Sequence, residues 1–348
     1  MRYAYVGCRT TKERNARGRG LKTYRIEENG EWTELQCLRT EDNPSYQTLD
    51  HKKEFLYSVH GDLTKLSSFR IQQDGTLKTL NTVEIDGKNP VFITVDKSNQ
   101  YLVVATLQGG SVVVLKRNAD GSIGAVTDRV KFAGKTKYSN SFIHQCIWDQ
   151  KKEYLFVPAQ GRIVGIGQLR VFRFHSENGT LEQTDAFTAR EFAEPRHVAV
   201  HPNNRYVYLI NEKGNYIMFF EFDENTGKLS PRQILPTLPE TYTGNGQASA
   251  VLTDDTGEFL IGSNRIHDSL AVYRINKRTG YLINIGFVPS LGRTPRFMTF
   301  DPEQKTHLYV ANEDSDTIVE MQVNAEFATV QPTGRIIRTE SPVCITFR

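Results

Sequence analysis

The side chains of this 348-residue chain best able to do chemistry are unevenly spread: His144, Arg196, Glu212, Arg265, Arg296 and Glu313 all lie beyond its first third. Three guanidiniums with an imidazole and two carboxylates suit an anionic guest, because guanidinium grips carboxylate or phosphate through paired hydrogen bonds. The same donors can stabilise an oxyanion. His144 or Glu212 can take a proton from water, whose attack on an ester or lactone carbonyl needs only a base and an electrophilic clamp. Opening an activated ring ester is therefore chemically complete without a cofactor, and none is expected. The motifs G-x-S-x-G, S-x-x-K and H-E-x-x-H are absent, which removes the familiar covalent hydrolases and zinc proteases.

No metal site is expected either. His197 and His201 stand four residues apart, but on a strand that is about 13 Å at roughly 3.3 Å per residue. Asn312 to Asp316 lacks the full acidic pattern of a calcium loop. Gly165 and Gly167 open no helix, which argues against nucleotide binding. Cys8, Cys37, Cys146 and Cys344 form no C-x-x-C pair and read as reduced thiols, mostly buried in strands.

Residues so distant in sequence meet only if the chain returns repeatedly to one axis, and it does repeat. A short strand, often opening on Pro, runs to Asp or His, turns, and is followed by an aromatic-rich strand. Examples are Asn89–Asp96 with Tyr101–Thr106, and Pro195–His201 with Tyr206–Asn211. Starts fall at residues 44, 90, 143, 195, 248 and 295, with a seventh at 342. A third strand follows, then Asp-Gly, Asn-Gly or Thr-Gly (Gly75, Gly121, Gly179, Gly227, Gly280), then a fourth. Alternating apolar residues broken by such turns make a hairpin meander. The spacing predicts an all-β chain folded as one seven-bladed β-propeller domain over residues 1–348. Its closing blade is shared between Pro342–Phe347 and the N-terminal strands, and ring closure removes exposed edges.

Counting outward from each turn brings the second residue of strand one and the residue after strand two to the same mouth of the ring. The first set is Ser45, Val91, His144, Arg196, Ser249, Arg296 and Val343. The second is Gly61, Leu107, Gln160, Glu212, Arg265, Glu313 and Arg9. Small or apolar residues fill one side and charged ones the other, with His197 adjacent. A ligand site explains that asymmetry better than an ion-pair plug, although ion-pair networks also gather charge.

Pro195–Pro202, Tyr208–Glu212, Phe259–Arg265, Thr294–Pro302 and Tyr309–Asp316 resemble the seven-bladed propeller lactonase family, which includes propeller 6-phosphogluconolactonases and fungal carboxymuconate-lactonizing enzymes. The likeness runs over essentially the whole chain. It implies that His144, Arg196, Glu212 and Arg265 form the catalytic cluster, with His197 supporting. His197, Arg296, Glu313, Gln160 and Arg9 are the expected substrate-binding residues. Three segments depart from the family pattern: Val157–Gly161, Ala105–Gln108 and Gly7–Thr10. The pocket walls are thus altered more than the reaction core. The resemblance implies a lactonase, with 6-phosphogluconolactone as a model substrate; a muconate-type lactonizing enzyme and a non-enzymatic scaffold are the alternatives.

Composition limits the partners. Lys+Arg 43 against Asp+Glu 40 gives a net charge of only +3, too weak a bias to argue for nucleic acid or membrane. Apolar content of 38% is ordinary for a folded globule. The apolar runs are too short to cross a bilayer, and Met1–Arg9 reads as a strand rather than a signal peptide. A cytoplasmic monomer or small homo-oligomer acting on a small anionic lactone or carboxylate is expected. The basic run Arg9–Arg19 reads as a solvated loop, or as one folded over the mouth.

Overall fold

The computed structural model describes residues 1–324 and 328–348. Seven antiparallel sheets are arranged as a β-propeller: residues 44–84, 90–131, 142–188, 195–236, 247–289 and 295–338 form blades 1 to 6. Blade 7 is composite, with Pro342–Phe347 innermost beside Arg2–Cys8, Leu21–Ile26 and Trp32–Leu38. The termini thus close the ring through backbone hydrogen bonds. Among the described residues no helix is long and apolar enough to cross a membrane.

Each second strand is sandwiched between neighbouring blades, which is why Phe55–His60, Tyr101–Thr106 and Tyr206–Asn211 are buried at every position. The core therefore lies between sheets: Phe55, Tyr57 and Val59 of blade 1 pack with Val95, Leu102 and Val104 of blade 2. Each such side chain contributes about 1.5–3 kcal/mol by leaving water. The outermost strands, such as Leu77–Glu84, turn much of their length to solvent.

Two local devices fix the repeat. The Asp ending strand one caps the turn below it: Asp96 Oδ1 accepts hydrogen bonds from the backbone N–H groups of Gln100 and Tyr101 at 2.8 and 2.7 Å. Asp50, Asp149 and Asp254 do the same in their blades. The glycine between strands three and four meets the preceding blade. Gly121, at φ +88°, packs on Phe55 so closely that a Cβ would stand 2.1 Å from the ring. Only glycine offers both that backbone and that approach.

Blade 3 differs from the expected pattern. Its inner strand is broken into Phe142–Ile143 and Ile147–Trp148, so the ladder lapses at His144. Cys8, Cys146 and Cys344 are buried free thiols, and Cys37 is half-buried.

Candidate functional site

The ring delivers side chains to its mouth by one repeated distortion. In blades 1, 2, 4, 6 and 7 the ladder between the first two strands slips by one residue, leaving Ser45, Val91, Arg196, Arg296 and Val343 without a partner. In blade 5 Ser249 and Ala250 together face Ser263. These are β-bulges, which bend a strand and re-aim the extra side chain. The break at His144 takes their place in blade 3. The residue after strand two is also held alike: the N–H groups of Gly61, Leu107, Glu212, Glu313 and Arg9 donate to the carbonyls of Asn43, Asn89, Glu194, Thr294 and Ser341, at 2.8–3.1 Å. Backbone geometry thus repeats while side-chain chemistry varies.

A pit of about 290 Å³ opens at this mouth. Arg9, His144, Glu212, Arg265 and Arg296, all singled out from sequence, line it. Glu212 is the hub. Its Oε1 lies 3.0 Å from Arg265 Nη2 and accepts from Gln247 Nε2 at 2.8 Å. Its Oε2 lies 3.0 Å from Arg196 Nε and accepts from Gln160 Nε2 at 2.7 Å. Burial pushes this carboxyl up, but Arg265, Arg196 and Arg296, with the Gln160 hydrogen bond, outweigh that and hold it well below the usual carboxylate range. Burial and the neighbouring guanidiniums push Arg196 and Arg265 down, against the pull of Glu212. Guanidinium is so basic that the cluster nonetheless stays a set of ion pairs at neutral pH.

His144 is the opposite case. Neither ring nitrogen has a hydrogen-bond partner among the described residues, and Nδ1 is buried. Burial, then Arg196, Arg296 and Arg265, push its pKa well below the ordinary histidine value, so the ring is neutral at pH 7. The His197 ring braces it, with centroids 5.0 Å apart and planes at 67°.

Three expected binding residues stand behind the wall rather than on it. Gln160 is fully buried and links Glu212 to Arg162. Glu313 pairs with Arg296 at 3.5 Å. His197 belongs to the layer beneath, with Tyr46, Phe92 and Phe297; Tyr46 and Phe92 stack at 4.1 Å. A separate, largely apolar cavity of about 360 Å³, which His197 lines, shares no wall residue with the pit. His201 caps its own turn, its Nδ1 accepting from the Asn203 N–H at 3.1 Å, while its Nε2 faces the carbonyl of Gly257 in blade 5 at 3.0 Å.

Arg14, Arg162, Gln108 and Gln247 line the pit without having been singled out by position. Arg162 and Gln108 each follow a second strand by two residues, and Arg14 lies in the basic run. That run does fold over the mouth: Arg14 pairs with Asp62, and Arg17 donates to the Glu313 carbonyl at 2.8 Å and to Asp316 at 2.6 Å. Two larger hollows, about 850 and 960 Å³, lie at the outer edge of blades 6 and 7 around Arg335. Neither gathers a cluster like that around Glu212, and convergence of chemistry outweighs size in choosing a site.

A family profile described as "Lactonase, 7-bladed beta-propeller" matches residues 3–347. A 6-phosphogluconolactonase of Bacillus subtilis is 27% identical over 314 residues, covering 88% of this chain and 87% of that protein. One from Formosa agariphila is 28% identical over 345 residues, 94% of each. The crystal structure of a periplasmic gluconolactonase from Pseudomonas aeruginosa superposes with a TM-score of 0.88 at 24% identity, covering 100% of this chain and 99% of that one. That last likeness bears on the fold alone.

Proposed function

Because this chain belongs to the seven-bladed β-propeller lactonase family, we propose that it hydrolyses a small anionic lactone in the pit at the propeller mouth, 6-phosphogluconolactone being the model substrate. The observation that carries this reading is the division of states between two neighbouring groups, a neutral unpartnered His144 and a fully engaged Glu212. A carboxylate clamped by two guanidiniums and two amides is a poor base. A neutral imidazole facing a pit is a competent one.

In the proposed reaction, His144 takes a proton from water as its oxygen attacks the lactone carbonyl carbon. The carbonyl oxygen gains the negative charge, which Arg265 and Arg296 on the same wall stabilise. Collapse of the tetrahedral intermediate breaks the ring C–O bond, and the imidazolium returns its proton to the departing alkoxide. The product is an open hydroxy acid. Glu212 and Arg196 act as positioning residues, holding Arg265 in place and compensating its charge.

Proton release measured at constant pH against a panel of sugar lactones and a carboxymuconate tests the reading. Lactone opening lowered about 10²–10⁴-fold in His144→Gln and reduced in Arg265→Lys supports it. Conversion of the muconate with no lactone opened would move the same cluster to lactone formation. No turnover of any panel member would leave the scaffold reading.

A further inference from the structure

The axial channel does not end at the pit. Beneath it, the inner strands of blades 1 to 6 enclose the separate cavity of about 360 Å³. An aromatic layer roofs this cavity on the pit side. Tyr46 stacks on Phe92 at 4.1 Å, Phe297 makes a T-shaped contact with Tyr46 at 6.1 Å, and His197 makes one with Phe92 at 6.4 Å. At the other end Val200, Thr253 and Phe300 immediately precede His201, Asp254 and Asp301, the residues at the turns, so the cavity runs toward the face opposite the mouth. Leu252, Thr253, Thr299 and Phe300 are only half-buried there, which marks an entrance.

The chemistry of this wall is the reverse of the pit's. No Lys, Arg, Asp or Glu lines it, so an ionic guest would give up its hydration for nothing. His197 is neutral, because burial, then Arg196 and His144, push it well below the ordinary histidine value. Thr253 and Thr299 donate their hydroxyls to the carbonyls of Val200 and Phe300. Two donors remain. Gln145 is 5% exposed, and its Oε1 accepts from the Val198 N–H at 2.6 Å, which leaves Nε2 with no partner among the described residues. The Tyr46 hydroxyl has none either. Both residues line the cavity, and neither atom is sealed from it by packing. A half-buried donor in apolar surroundings gains most from a guest that supplies an acceptor.

We infer that the channel cavity is a second binding site, which takes an uncharged aromatic molecule bearing a carbonyl or comparable acceptor. The guest's ring packs against Phe92 and Phe297, extending a layer in which aromatic pairs favour stacked or T-shaped contact. Its oxygen accepts from the Tyr46 hydroxyl with one lone pair and from Gln145 Nε2 with the other. The lack of wall charge excludes the anions that suit the pit, and the two free donors disfavour a plain hydrocarbon. The volume is at the low end of small-molecule sites, which sets the guest at one or two rings. The site stands apart from the lactonase reading, since nothing in it depends on what the pit does.

The test uses three molecules of one shape: acetophenone, cumene, which lacks the acceptor, and benzoate, which is charged. Kd is measured by ligand-detected NMR titration of the wild type, Tyr46→Phe and Thr299→Trp. Tyr46→Phe removes an oxygen that bonds to nothing in the protein, so folding is not at risk, and Thr299→Trp fills the cavity from a half-buried wall position. Acetophenone is expected to bind the wild type with a Kd of about 1 mM or tighter. Cumene should bind about three- to tenfold more weakly, the worth of one net hydrogen bond. Tyr46→Phe should weaken acetophenone by a similar factor and leave cumene unchanged, while Thr299→Trp should weaken both about tenfold or more. Benzoate should ignore both substitutions, because its charge belongs in the pit. Acetophenone that binds more weakly than about 1 mM overturns the site, as does cumene binding as tightly, an acetophenone Kd unchanged within twofold in Tyr46→Phe, or benzoate lost in Thr299→Trp. If a thermal melt shows Thr299→Trp unfolded, the comparison of acetophenone with cumene in Tyr46→Phe decides alone.

Discussion

The two halves of the mouth share a backbone and differ in everything attached to it. Glu212 and Gly61 occupy equivalent positions, each donating its N–H to the residue that precedes the neighbouring inner strand, at 2.8 and 2.9 Å. On the Glu212 side the carboxylate accepts from Gln160 and Gln247 and pairs with Arg196 and Arg265, so the acidic hub is held in place before any guest arrives. On the Gly61 side Ser45, Val91 and Leu107 leave room, and Arg9 waits without an acceptor. The contrast teaches that repetition decides where a side chain points, and departure from repetition decides what it can do. A preorganised half suits the transition state, where donors must cost no rearrangement. An unsatisfied half suits ground-state recognition.

Removal of the hub is expected to have the largest effect. Glu212→Ala leaves Arg196 and Arg265 buried without a counter-charge, which is expected to lower stability by about 3–5 kcal/mol and to abolish lactone opening. Urea unfolding followed by fluorescence reads the first and the lactone assay the second. Stability within about 0.5 kcal/mol of wild type would mean that the buried guanidiniums do not depend on Glu212 for their counter-charge. His144→Gln is the complementary change. It removes a ring that hydrogen-bonds to nothing, so stability is expected to hold while kcat falls about 10²–10⁴-fold, the usual contribution of a general base. In the wild type the acid limb of the rate profile should lie below pH 6.5, because the folded ring resists protonation. An inflection at or above that pH would return the base role to another group.

Much of this was legible in the sequence, for identifiable reasons. The blades announced themselves because capping aspartates such as Asp96 and interblade glycines such as Gly121 are residue types their positions demand. The mouth residues were found by counting from those turns, although strict alternation along Pro195–Val200 would not have shown that Arg196 sits on a bulge. Distance from the turns explains the rest. Arg14 and Arg162 come from loops whose path depends on tertiary contacts, Arg14 on Asp62 and Arg162 on Gln160. Nothing periodic marks the lapse of the ladder at His144, nor the aromatic layer that assigns His197 to the far side of Arg196.

Smaller effects come from titration. His60, His144 and His197 are all held below the ordinary histidine value, chiefly by burial, and His60 is pushed down to about 4. The unfolded chain therefore binds more protons than the folded one once pH drops below about 6.5. Stability is complete above that pH and falls as pH is lowered toward the folded values, by up to roughly 1.4 kcal/mol per pH unit for each ring. Unfolding free energies at pH 7 and pH 5 check this, and the slope should lessen in His144→Gln. Equal stability at the two pH values would contradict the neutral burial of these rings.

The smallest expected effect probes the open half from outside. Arg17 reaches no wall of the pit, yet its bonds to Glu313 and Asp316 pin the loop that carries Arg14. Exposed pairs contribute about 0–1 kcal/mol, so Arg17→Ala should scarcely alter unfolding. Loosening the loop should still raise KM for an anionic lactone about two- to threefold at unchanged kcat, a fraction of one charge-assisted contact. Ile163→Ser, on the exposed rim beside Arg162, should change neither constant. If Arg17→Ala lowers kcat instead, the loop takes part in the reaction itself, and the separation of the mouth into a reacting half and a recognising half does not hold.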